Sequence, residues 1–404
     1  MRTMRPFRDT IAVADAKALT LEAAIPVDRV ESISLGDATG RVLATAVISP
    51  IDVPPFDRAA MDGYAVTAGD TFGASRDNPK LLHLIHTSYS GDAPARPIAA
   101  GECVEIATGA PLPNGADAVV MVEETEKNAE AVRIFTPVYP GQHVGRRATD
   151  ISEGQTVVAA GTTLNAGRIG ALAAIGTTTI DVFERPLVAI LSTGNEIIEP
   201  GHPLGPGQIY NINRFTLTSI IETHGGTVSA GATVPDTLAD LVDAIRRSAS
   251  ADLIIFSGGS SVGERDLMLD ALQQTGDVIF HGIAVKPGKP TLLGKVGATP
   301  VLGMPGNPTS CLSNAYLLVI PMLRRMARLP EYEPRTIHVP LARRIVSATG
   351  RHQFYTVRVV DGTAVPAFKG SGDITSMAHA DGYIEIPAQT DIAEAGEIVE
   401  VKLF

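Results

Sequence analysis

Ser257-Gly258-Gly259-Ser260-Ser261-Val262-Gly263 follows directly on the apolar run Leu253-Ile254-Ile255-Phe256 and precedes Met268, Leu269 and Leu272 at helical spacing. A short apolar run of this kind reads as a buried strand. Glycine lets the chain turn tightly and approach a ligand closely, so strand, glycine loop and helix together aim backbone N–H groups at an anion. Ser257, Gly258, Gly259, Ser261 and Gly263 are candidate anion contacts on this reasoning. The pattern recurs twice. Pro186 to Leu191 empties into Ser192-Thr193-Gly194-Asn195-Glu196, and Val301 to Met304 empties into Pro305-Gly306-Asn307-Pro308. Lys286-Pro287-Gly288-Lys289-Pro290 adds two point charges suited to an anion, separated by a glycine that admits close backbone approach. Each stretch alone also fits a plain turn or a solvated loop, and their joint occurrence is what points to a site.

Several strands that end in polar glycine loops at one edge imply a doubly wound parallel sheet, whose ligands lie beyond the carboxyl ends of the strands. The spacing predicts helices over 213–223, 237–248, 265–274 and 309–328, the last interrupted at Pro321, and an amphipathic helix over 11–24. From Phe56 to Val138 the chain reads as short strands between turn residues, and beyond Pro330 short strands return. The expected architecture is α/β plus β: a central doubly wound sheet over 177–328, a β-rich insert over 49–138, a small C-terminal β domain over 329–404, and an N-terminal part from 1–48 and 139–176.

At 404 residues, two to four domains are expected at roughly 150 residues each. The net charge of -11 argues against a general binder of nucleic acid or of a membrane surface, either of which needs a basic face. Cys103 and Cys311 are the only cysteines, so no disulfide framework and no cysteine metal knuckle is expected. No signal peptide and no bilayer-spanning run is read, which makes a cytoplasmic protein the expectation. The nine histidines show no ligand spacing.

The chain resembles the MoeA family of molybdopterin molybdenumtransferases, which includes the related domain of gephyrin. The segments that carry the resemblance are F-D-R-A-A-M-D-G-Y-A-V, I-A-T-G-A-P-L-P-N-G-A-D-A-V-V, A-T-D-I, S-T-G-N-E-I, G-Q-I-Y, S-G-G-S-S-V-G-E-R-D, K-P-G-K-P and P-G-N-P-T-S. What the resemblance implies is a homodimer of elongated, four-domain subunits that inserts molybdate into adenylylated molybdopterin with a divalent cation, for which Mg²⁺ is the expected ion, and releases AMP. It implies that Asp62, Asp150, Glu196, Asp236 and Asp266 are functional acids, with Thr108 as a polar partner. It also implies that the Asp62–Thr108 segment faces the sheet domain of the other subunit.

Molybdate, pterin phosphate and AMP are all anions, and two unit charges about 4 Å apart repel by roughly 4 kcal/mol at an effective dielectric near 20. Lys286 and Lys289 offset this, with Arg146, Arg147 and Arg265 as further candidates. Carboxylates in such a cleft need a hard divalent ion to join them to phosphate, and Glu196 and Asp266, each after a glycine loop, are the expected ligands. Asp62, Asp150 and Asp236 are left between oxyanion positioning and proton handling. Asp236 is equally readable as the N-cap of the helix that starts at Thr237.

Some positions depart from the family pattern. Asn195 and Asn211 stand where acids are common, Ala59 where serine is frequent, Gly145 where a third arginine often stands, and Thr356 where an arginine is often found. Two other functions remain open on these residues: a scaffold that binds molybdopterin without turnover, and a pterin adenylyltransferase.

Overall fold

Side chains that alternate across a strand while staying apolar on both faces demand cover on both sides, and this governs the larger half of the structure. The computed structural model describes residues 10–93, 96–258, 266–347 and 350–404. The chain divides into two units, one of Met1–Glu31, Gly40–Val42 and Val182–Phe404, the other of Ser32–Thr39 and Leu43–Asp181.

The first unit is built on six strands, β1 (Leu187–Thr193), β2 (Thr227–Val234), β3 (Leu253–Gly258), β4 (Asp277–His281), β5 (Leu292–Val296) and β6 (Thr299–Met304), in the spatial order β2-β1-β3-β6-β5-β4. The four strands β2, β1, β3 and β6 are parallel. The parallel expectation fails at one edge, where β5 turns back on β6 through a short hairpin and pairs antiparallel with it and with β4. The helices of this unit are α1 (Val13–Ala23), α2 (Ile212–Thr223), α3 (Leu238–Arg247), α4 (Leu267–Thr275), α5 (Pro308–Asn314) and α6 (Ile320–Met326).

Val188, Ile190, Leu253, Ile255, Leu302 and Met304 pack on one face with residues of α1, α2, α5 and α6. Their neighbours Ala189, Leu191, Ile254, Phe256 and Val301 pack on the other with α3 and α4. Each large aliphatic or aromatic side chain buried in this way contributes roughly 1.5–3 kcal/mol. The expected break at Pro321 is present as a change of ladder: α5 passes into a π-helical turn, Ala315–Val319, before α6 resumes. Proline has no N–H and its ring crowds the preceding turn, so a wider turn just before it relieves both problems.

Beyond Pro330, Thr336–Pro340, His352–Val360, Gly382–Ile386 and Ile398–Leu403 form a second sheet, which takes in Val285–Lys286 as an edge strand beside His352–Val360. The arm that carries the two cleft lysines is thereby held by the C-terminal strands.

The second unit is rich in strands. Its main sheet runs Ala118–Met121, Gly63–Val66, Glu102–Ile106, Lys80–Ser88, Ala131–Ile134, Thr125–Asn128. Tyr64, Val66, Leu82, Cys103, Val120, Val132 and Ile134 form its core. Among the described residues, no helix is long and apolar enough to cross a membrane.

Candidate functional site

From β1 the chain passes through α2 to β2 on one side, while β3 lies on the other, so the carboxyl ends of β1 and β3 part at a switch point. A cleft of about 710 Å³ opens there, lined by Ser192, Thr193 and Glu196 after β1, Ser257 and Gly258 at the end of β3, and Pro305, Gly306 and Asn307 after β6. Asn211 and Asn213 from the start of α2 also line it, as do Lys286 to Pro290 and the C-terminal residues Arg351 and Phe368 to Ser371. Residues at the ends of all three strands picked out in the sequence therefore line one cleft.

The strand-end wall is tightly made. Gly258 has φ of 111°, and a Cβ there would lie 2.2 Å from the Thr193 carbonyl oxygen, so β3 closes against β1 only with glycine at this position. Asn213 Nδ2 donates to the Gly306 carbonyl at 2.8 Å, tying α2 to the loop after β6. Gly194 is buried within its turn and is not part of the lining.

The same cleft carries cations. Lys286 and Lys289 are half-buried. The loop between them is pinned by Asn314, whose Nδ2 donates to the Gly288 carbonyl at 2.9 Å and to Thr291 Oγ1 at 2.6 Å. Gly288, at φ 109°, makes room for that contact, since a Cβ would lie 2.4 Å from Asn314 Nδ2. Arg351 and Lys369 add charge to the cleft lining, and Asn307 Nδ2 donates to Ser371 Oγ at 3.0 Å. Sequence reading missed Arg351 and Lys369 because the place of Arg351 follows from the pairing of Val285–Lys286 with His352–Gln353, and that of Lys369 from the pairing of Thr363–Pro366 with Val357–Val360. The available signal was Gly370-Ser371-Gly372, which matched the family pattern without being assigned to the site.

The acids separate. Glu196 lines the cleft. Asp236 is half-buried with Oδ1 unpartnered, and burial, then the charge of Glu196, raise its pKa above the usual carboxylate range. The N-cap reading of Asp236 is corrected: Thr237 Oγ1 takes that role, accepting from Asp240 N–H at 3.2 Å.

Asp266 is the residue that caps a helix. Its Oδ1 accepts from Leu269 N–H at 3.1 Å, its Oδ2 lies 3.0 Å from His281 Nε2, and it does not line the cleft. Replacing Asp266 with alanine should therefore cost about 1 kcal/mol through loss of the cap, while asparagine should keep most of it. Thermal denaturation of the two variants measures this directly.

Asp62, Thr108 and Asp150 stand in the second unit, all exposed. Asp62 Oδ1 accepts from the Thr108 backbone N–H at 2.7 Å and from its hydroxyl at 2.8 Å, and these bonds, the backbone one first, lower the Asp62 pKa. Arg146 and Arg147 lie in the same unit, paired with Asp57 and Asp52. Gly259, Ser261, Gly263 and Arg265 lie outside the described residues.

Among the described residues there is no group of three or more His, Cys, Asp or Glu that could hold a metal. Glu196, in the cleft lining, suits Mg²⁺ all the same, because that ion takes one or two carboxylates and completes its shell with water and ligand phosphates; Asp236, near enough to feel the Glu196 charge, is the second candidate although it is not in the lining.

Three family profiles match the chain in sequence: "MoeA N-terminal region (domain I and II)" over residues 11–176, "Probable molybdopterin binding domain" over 189–325, and "MoeA C-terminal region (domain IV)" over 338–404. The chain is 36% identical over 385 residues to molybdopterin molybdenumtransferase 2 of Mycobacterium tuberculosis, covering 92% of this chain and 94% of that protein. It is 32% identical over 404 residues to molybdopterin molybdenumtransferase of Haemophilus influenzae, covering 98% of each. A crystal structure of the molybdopterin biosynthesis MoeA protein from Pyrococcus horikoshii superposes with a TM-score of 0.86 at 38% identity, covering 98% of this chain and 99% of that one. With the strand-end loops, the K-P-G-K-P arm and the C-terminal sheet all in place, the chain belongs to the MoeA family.

Proposed function

We propose that this protein is a molybdopterin molybdenumtransferase that inserts molybdate into adenylylated molybdopterin and releases AMP. The observation that carries the reading is the cleft at the β1–β3 switch point, lined both by polar strand ends and by Lys286, Lys289, Arg351 and Lys369. These cations hold the oxyanion and the phosphates near one another. Phe368 and the apolar lip of Ile197, Ile209 and Ile212 in the same lining give a flat ring system surface to rest on.

Mg²⁺, when bound, supplies charge that lets carboxylate and phosphate share the cleft, and Glu196 and Asp236 are the residues we assign to it. Asp266 we assign to anchoring α4. Asp62, Thr108 and Asp150 serve oxyanion positioning or proton handling, contributed by the second subunit of a homodimer. The four-part division of the chain, 1–48 with 139–176, 49–138, 177–328 and 329–404, belongs to the same proposal.

Purified protein given adenylylated molybdopterin, molybdate and Mg²⁺ should release AMP. Tight pterin binding with no AMP would make it a scaffold instead, and consumption of ATP without molybdate would make it an adenylyltransferase.

A further inference from the structure

Two buried asparagines at the start of α2 determine which hydrogen-bonding role the strand-end wall can play. Asn211 is 3% exposed and Ser192 is 2% exposed. The Asn211 side-chain oxygen accepts from the Arg214 backbone N–H at 3.2 Å, and Ser192 Oγ lies 3.2 Å from the same oxygen. Its nitrogen lies 2.9 Å from Glu199 Oε1. A carboxylate only accepts and a backbone N–H only donates, so the amide cannot be turned over. Glu199 is itself held, by Arg214 Nη1 at 2.9 Å and Thr233 Oγ1 at 3.1 Å. Ser192 must then give its single hydroxyl proton to Asn211, and what remains on Ser192 Oγ is lone pairs.

Asn213, 7% exposed, repeats the logic independently. Its nitrogen is committed to the Gly306 carbonyl, so the unpartnered atom is an acceptor, Oδ1. Glu196, in the same lining, can only accept while ionised. A wall of acceptors repels phosphate oxygens and suits N–H groups.

We infer that Asn211 is a positioning residue that turns Ser192 into an acceptor, and that this wall reads the N–H edge of the aminopyrimidinone ring rather than a phosphate. The inference rests on the proposed pterin substrate and narrows the expectation that the Ser192, Ser257 and Pro305 loops together hold the anionic pterin and nucleotide, giving Ser192 the ring. Anions are left to the Lys286, Lys289 and Arg351 side of the cleft. Asn211 in place of the acid common in the family also acquires a reason: a carboxylate there would face Glu199 at 2.9 Å. Asn211 and Glu199 thus function as a matched pair.

The test measures binding of two separate probes, 6-hydroxymethylpterin and AMP, to the full-length protein. Ser192→Ala should weaken the pterin about fivefold to tenfold and leave AMP within about twofold. Asn211→Asp, which still caps α2, should weaken the pterin about tenfold. Adding Glu199→Gln to Asn211→Asp should restore affinity to within about twofold of wild type, because aspartate still accepts the Ser192 proton once the clash with Glu199 is gone, whereas Asn211→Ala, which offers no acceptor, should stay about tenfold weak with Glu199→Gln present. Loss of AMP affinity greater than loss of pterin affinity in Ser192→Ala, or failure of the rescue in a double variant with wild-type melting, would overturn the inference alone. A wild-type protein that binds AMP but not the pterin would overturn the pterin reading of the cleft and this inference with it.

Discussion

Replacing both Lys286 and Lys289 with methionine should lower the kcat/KM for AMP release by about a thousandfold or more, and either replacement alone by roughly thirtyfold. The size follows from the Coulomb energy that the lysines offset. Two anions about 4 Å apart repel by roughly 4 kcal/mol at an effective dielectric near 20. Because both lysines are only half-buried, solvent screening reduces the contribution of each to about 2 kcal/mol, and each 1.36 kcal/mol is a factor of ten in rate. Methionine keeps the apolar stem and removes the charge, so melting temperature should hardly change. Arginine at either position keeps the charge but brings a wider fork, and should recover part of the loss. A double methionine variant within tenfold of wild type would remove these lysines from the anion site.

The second large effect is on stability, at Glu385. This carboxylate, 14% exposed in its side chain, lies 2.7 Å from His352 Nε2, 2.6 Å from Lys402 Nζ and 3.6 Å from Lys17 Nζ. Burial alone would raise its pKa. The hydrogen bond from His352 and the cations Lys17 and Lys402 overcome burial and hold it at about 2, below the ordinary 4.5. A carboxylate whose pKa is depressed by folding stabilises the fold fully above its ordinary value and loses that stabilisation as pH falls through the folded value. The contribution at neutral pH is roughly 3 kcal/mol and should disappear between pH 4.5 and about 2. Glu385→Gln should lose a similar amount at pH 7, because it strands three cationic or hydrogen-bonding partners. Its denaturation midpoint should also vary less with pH across that window than that of wild type. Equal slopes for variant and wild type would show that Glu385 is not the group responsible. Since His352 follows Arg351 in the chain and pairs in register with Val285, this cluster also braces the strand that brings Arg351 to the cleft.

The central sheet was legible from residues alone where burial is two-sided. Leu253 to Phe256 and Val188 to Leu191 are apolar at every position because alternate side chains enter two different cores. The loops after β1, β3 and β6 were legible because serine, asparagine and glycine cluster where apolar runs stop. What was hidden depends on contacts distant in sequence. Arg351 enters the cleft lining just before the strand that pairs with the Lys286 arm, and Lys369 from the loop after Thr363–Pro366, which pairs with that same strand, and nothing local to either residue announces it. Asp236 and Asp266 look alike in sequence, each an acid just before a helix. The neighbouring Thr237 takes the cap in one case, leaving Asp236 Oδ1 unpartnered, while Asp266 caps its own helix. Antiparallel β5 and β4 escaped notice because an edge strand after a hairpin has the same apolar pattern as a parallel one.

The most direct measurement is the position of bound nucleotide in crystals grown with AMP and a soluble pterin. Phosphate density beside Lys286, Lys289 and Arg351, with the ring system against Ser192 and Asn213, is the expected result. Ligand density away from the carboxyl ends of β1 and β3, with the lysine arm untouched, would contradict the assignment of this cleft as the site of molybdenum insertion.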